Sequence, residues 1–71
     1  MFVLMQYEHM QTEKRQTEIM NQARMSGRVL ATPLAQLLSV TVQTIRRDLQ
    51  SLCAAGLLER THGGAIMPSG V

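Results

Sequence analysis

The chain of 71 residues carries a single cysteine, Cys53. One thiol excludes an internal disulfide and any cysteine-based zinc cluster, so no covalent or metal staple is available to a small fold. The core must also be aliphatic, because one Phe, one Tyr and no Trp stand against nine Leu and six Met. Hydrophobic residues make up 45% of the chain, ordinary for a globular domain and too many for a disordered one. An aliphatic chain of this length needs close helix packing, or a partner, to hold together. Much of so short a chain lies at the surface, which argues against a deep enzyme cleft.

The formal net charge of +2 is unevenly spread. Residues 1–18 set Lys14 and Arg15 against Glu8, Glu13 and Glu18. Beyond them Arg24, Arg28, Arg46, Arg47 and Arg60 outweigh Asp48 and Glu59. Arginine presents a planar fork that suits phosphate oxygens and base edges, so the basic part is compatible with a nucleic-acid partner without establishing one. No Lys/Arg-rich polar face of a membrane-surface helix is found. The run Met1-Phe2-Val3-Leu4-Met5 is too short for a signal-peptide core, and nothing approaches a span of ~20 apolar residues. The chain reads as cytoplasmic, with no membrane partner.

The order of elements follows from punctuation and period. No Gly or Pro interrupts Gln11–Met25, where Ile19, Met20 and Ala23 share a helical face, and Gly27 ends that helix. Arg28-Val29-Leu30-Ala31 is short and partly β-branched, a candidate strand. Thr32-Pro33 predicts the start of a second helix, with a hydroxyl N-cap and proline at the first helical position. Leu34, Leu37 and Leu38 supply its apolar stripe, and Ser39-Val40-Thr41 breaks it. Thr41 is an N-cap candidate for a third helix over Val42–Ala55, stopped by Gly56. Ile45, Leu49 and Leu52 share its apolar face, with Gln43, Arg47 and Gln50 opposite and Arg46 flanking them. Leu57–Thr61, the turn His62-Gly63-Gly64 and Ala65–Met67 then read as a hairpin. This is a mainly α fold with a small β-hairpin: a winged helix-turn-helix of three helices and a two- or three-stranded wing. A plain three-helix bundle with a frayed tail is the competing architecture.

The helix-turn-helix reading rests on spacing. Ala35 is small where two short helices must cross, Ser39 lies four residues on in the turn, and Ile45 six further on a buried face. A serine forced to positive φ in that turn costs up to ~1 kcal/mol relative to glycine.

The segment Val40-Thr41-x-x-Thr44-Ile45-Arg46-Arg47-Asp48-Leu49, followed by Leu52, Gly56-Leu57-Leu58, Arg60 and His62-Gly63-Gly64-Ala65, resembles the DNA-binding domain of the DeoR family of bacterial transcriptional repressors. Lys14-Arg15, Ile19-Met20, Gly27-Arg28-Val29 and Leu34-Ala35 extend the resemblance over residues 13–67. The resemblance implies a third helix in the major groove and repression of a sugar-metabolism operon. In that family a larger C-terminal domain senses a phosphorylated sugar and supplies oligomerisation. Thr41 stands where the family often has serine and keeps the capping hydroxyl; Thr32-Pro33 stands where acidic residues are frequent. The 71 residues do not include such a domain, so effector sensing is not carried over.

On that basis the DNA-binding candidates are Thr41, Val42, Gln43, Thr44, Arg46, Arg47, His62 and Gly63. Thr41 caps the third helix, and its hydroxyl can reach a phosphate, as can the exposed N–H groups of that helix start. Val42, Gln43 and Thr44 form the turn that enters the groove first, Gln43 suiting adenine edges and Val42 a thymine methyl. Arg46 and Arg47 can reach phosphates or a guanine, and His62-Gly63-Gly64 can lie along the DNA backbone. Simpler roles stand beside these. The arginines also fit a solvated helix face, and His62 also fits a plain turn residue. Asp48 is expected in a structural salt bridge, Cys53 as a buried inert thiol, and the methionines as core filler or alternative starts.

No Ser/His/Asp set, paired carboxylates or phosphate loop appears, so neither catalytic residue, cofactor nor metal site is expected. Residues 1–10 read as an N-terminal extension, with residues 1–9 either upstream of a natural start at Met10 or an addition to the first helix. Residues 11–67 form the domain, and residues 68–71 open an interdomain linker. The expected partner is double-stranded operator DNA, with homo-oligomerisation only where a C-terminal domain is present. The alternative function is a winged-helix protein–protein interaction module that binds no DNA.

Overall fold

The computed structural model describes residues 11–68; the expectations for residues 1–10 and 69–71 lie outside them. The elements run α1 (Thr12–Ser26), β1 (Arg28–Leu30), α2 (Ala31–Leu38), α3 (Val42–Ala54), β2 (Glu59–Thr61) and β3 (Gly64–Ile66). Helix α1 turns Ile19, Met20 and Ala23 inward and closes on Gly27, whose N–H donates to the Ala23 carbonyl.

Helix α2 begins earlier than Thr32-Pro33 predicts. Its first residue is Ala31, its N-cap is Leu30 in extended conformation, and no side chain caps it. The reason is tertiary. Strand β1 runs straight into the helix, and the Ala31 N–H donates to the Gly63 carbonyl at 2.9 Å. A neighbouring turn thus satisfies one of the orphan donors that a Thr hydroxyl was expected to serve. Pro33 falls in the first turn, where its missing N–H has no intrahelical acceptor to lose. The apolar stripe also shifts: Ala31, Leu34, Ala35 and Leu38 are buried, whereas Leu37 is 57% exposed.

The turn between α2 and α3 is tight because Ser39 adopts the left-handed conformation, φ 59° and ψ 42°. Among the described residues it is the only non-glycine with positive φ. The Val40 N–H returns to the Ala35 carbonyl at 3.0 Å, a Schellman closure that sends the chain off at an angle. Helix α3 is then capped by Thr41, whose Oγ1 accepts from the Thr44 N–H at 3.2 Å. It ends on a second Schellman motif, with the Gly56 N–H on Cys53 and the Leu57 N–H on Leu52, each at 3.0 Å. Its inner face carries Ile45, Leu49 and Leu52 into the core.

The three strands form one antiparallel sheet in the order β1-β3-β2. Gly64, expected in the turn, belongs to β3 and pairs with Leu30 on one side and Thr61 on the other. A Cβ at Gly64 would collide with the Val29 carbonyl oxygen and stand 2.9 Å from Leu30 Cα. Only glycine lets β1 lie this close. The turn itself is His62-Gly63, with Gly63 at φ 81°. Val29, Ala65 and Leu58 close the core from the sheet side. Cys53 is half-buried against the core rather than sealed within it. Of the methionines, Met20 is buried, Met67 packs partly on the core, and Met25 is 79% exposed and fills no core space.

Two substitutions test this framework by thermal or urea denaturation. Ser39→Gly relieves the left-handed strain and should stabilise the domain by up to about 1 kcal/mol. Gly64→Ala forces backbone apart and should destabilise it by about 3 kcal/mol, against about 1 kcal/mol for Gly63→Ala, where the added methyl meets open space.

Candidate nucleic-acid interface

Helix α3 has two unlike faces. Ile45, Asp48, Leu49 and Leu52 are buried; Gln43, Arg46, Arg47 and Gln50 are exposed. The spacing of the exposed four, i, i+3, i+4 and i+7, sets them along one stripe of the helix. Neither the Arg46 nor the Arg47 side chain makes an ion pair or hydrogen bond with another described residue. The one carboxylate of α3 is turned inward, so the outer face is cationic without an internal counter-charge.

The helix start is shaped by its cap. Thr41 is exposed, and its hydroxyl lies 3.0 Å from that of Thr44 besides accepting the Thr44 N–H. Thr44 and Val42 are half-buried, and Val42 packs against the core. Of the first-turn candidates, Gln43 therefore projects most freely. His62 and Gly63 are exposed at the β2–β3 turn, and the Gly63 carbonyl is committed to Ala31 of α2. Gly64 is buried in the sheet, so the close approach it permits is to β1 rather than to a ligand at the wing tip.

Asp48 is 3% exposed and accepts all its side-chain hydrogen bonds from α1. Arg15 grips it with one edge of the guanidinium through two nitrogens: Nε donates to Oδ2, and Nη2 donates to Oδ1 at 3.0 Å. Gln16 Nε2 donates to Oδ1 at 3.4 Å, and Arg15 Nη2 also reaches Thr12 Oγ1 at 3.3 Å. The hydrogen bonds to Asp48 raise the Arg15 pKa above its ordinary value, outweighing the opposing effect of burial. The salt bridge expected for Asp48 is thus present, but sequence reasoning left its partner unnamed. The available signal was that Arg15 precedes Ile19 by one helical turn, at the edge of an apolar face as Asp48 is.

Among the described residues no group of three His, Cys, Asp or Glu side chains is placed to hold a metal ion, and no helix is long and apolar enough to cross a membrane.

Two helices crossing through a tight left-handed turn, a third helix behind them and a three-stranded sheet beside them define a winged helix-turn-helix domain. The chain belongs to the DeoR-like helix-turn-helix domain family, whose model matches residues 15–71. It is 46% identical over 48 residues to the L-fucose operon activator of Haemophilus influenzae, covering 68% of this chain and 19% of that protein. It is 40% identical over 60 residues to the glycerol-3-phosphate regulon repressor of Escherichia coli, covering 84% of this chain and 24% of the repressor. With the lactose phosphotransferase system repressor of Lactococcus lactis it shares 38% identity over 56 residues, 79% of this chain and 22% of the relative. The chain thus spans about a fifth to a quarter of the length of these relatives. No solved structure matches it significantly.

Asp48→Ala removes the acceptor and strands the half-buried Arg15 charge. It should cost about 3 kcal/mol in denaturant-induced unfolding, because breaking one half of such a pair leaves the other uncompensated.

Proposed function

We propose that this chain is the sequence-specific double-stranded DNA-binding head of a bacterial transcriptional regulator, acting in the cytoplasm, most simply as the repressor of a sugar-metabolism operon. The observation that carries the reading is the outer face of α3, where Gln43, Arg46 and Arg47 stand exposed without internal partners on a helix oriented by a helix-turn-helix. A cationic face kept free of carboxylates suits a polyanion and gains from the counterions it releases.

In this reading α3 enters the major groove by its N-terminal turn. The Thr41 hydroxyl and the open N–H groups of that turn hold a phosphate. Gln43 reads a base edge, with adenine its best match. Val42 and Thr44, partly spent on packing and capping, offer their outer methyl groups to thymine. Arg46 and Arg47 reach a guanine edge or flanking phosphates. His62 and Gly63 rest on the DNA backbone beside the groove. Operator sites are normally read by paired heads, so the regulator works as a homo-oligomer where a C-terminal domain joins two of them. The relatives named for fucose, glycerol 3-phosphate and lactose support a carbohydrate-related operon and include both an activator and repressors.

Selection of duplexes from a random pool, followed by gel shifts over a salt series, tests the proposal. Arg47→Ala should weaken binding by about 1–3 kcal/mol and relax preference at one position if Arg47 reads a base. If it holds only phosphate, all sequences should weaken alike and the salt slope should fall by about one. Unchanged binding by the Arg46→Ala/Arg47→Ala double variant overturns the DNA reading. Chemical shifts that move on the hairpin and not at residues 41–47 would favour a protein-docking module instead.

A further inference from the structure

We infer that Arg15, with Gln16, is a positioning residue for sequence discrimination: by clamping Asp48 it fixes the rotation and axial register of α3, and so where Gln43, Arg46 and Arg47 point. The inference rests on the DNA-binding reading above. Three observations support it. First, the other buried side chains of α3, Ile45, Leu49 and Leu52, are aliphatic, and aliphatic contact is non-directional. Second, among the described residues the side-chain hydrogen bonds that join separate elements all end on Asp48, and all come from α1. Third, Asp48 follows Arg47 directly and lies one helical turn beyond Thr44, within the segment that carries the exposed stripe.

The geometry of the clamp suits a register device. A guanidinium meeting a carboxylate by two parallel bonds fixes orientation as well as distance, which a single ammonium contact does not. A slip of one residue along α3 rotates its side chains by about 100° and shifts them by about 1.5 Å. Base reading tolerates far less, on the order of 0.5 Å and 10–20°. Buried ion pairs of this kind contribute little net stability against a well-packed apolar substitute. Fixing α3 is a role that the apolar core alone does not fill.

The test uses the 71-residue chain, the duplex it enriches from a random pool and a shuffled duplex of the same composition. The Arg15→Met/Asp48→Leu double variant replaces the clamp by apolar contact. Its melting temperature should stay near or above that of the parent, while the ratio of affinities for the enriched and shuffled duplexes falls about tenfold. Affinity for the shuffled duplex should change by no more than about twofold, because the phosphate-binding groups remain. Arg15→Lys keeps the charge without the fork and should not restore the ratio. It also serves as the deciding variant if the double variant does not fold, a loss of discrimination in it supporting the inference and an unchanged ratio overturning it. A folded double variant with the parent's discrimination overturns the positioning role while leaving DNA binding intact. Failure of the parent chain to enrich any duplex overturns both.

Discussion

The fold depends on sealing α1 against α3. Ile19 of α1 and Ile45 and Leu49 of α3 are its largest fully buried side chains. Each such side chain contributes on the order of 1.5–3 kcal/mol on leaving water. No disulfide or aromatic cluster shares the task in this chain. Helix α2 packs on α3 with small Ala35 buried in the core, and the sheet side closes with Val29, Ala65 and Leu58. A core this small cannot spare the inner face of α3, so the outer face alone is left for a partner.

That division sets up the electrostatics. The chain has few carboxylates, and the one on α3 is drawn inward to Arg15 and Gln16. Inside, Asp48 ties two helices together; outside, its removal from the surface leaves Arg46 and Arg47 without a counter-charge on their own helix. One buried salt bridge therefore bears on both packing and the character of the surface, and links the stability of the domain to the face proposed to meet DNA.

Much of this was legible in the residues. Period and punctuation located the three helices within a residue or two, and the Thr41 cap, the Gly27 and Gly56 terminators and the left-handed Ser39 all belong to local chemistry. The spacing of Gln43, Arg46 and Arg47 opposite Ile45 and Leu49 likewise placed the candidate site on one helix face. The misses share a cause. The α2 start, the strand position of Gly64 and the partner of Asp48 each depend on a residue far away in sequence.

By itself, then, the sequence determined the helices, their caps and the amphipathic polarity of α3, because 3.6-residue periodicity and capping act over one or two turns. Tertiary structure decided what those elements meet. It set Ala31 on the Gly63 carbonyl, paired Gly64 with Leu30 of β1 and brought Arg15 to Asp48 across 33 residues. Such contacts form only once chain closure brings distant segments together, and no local pattern in either segment specifies the pairing.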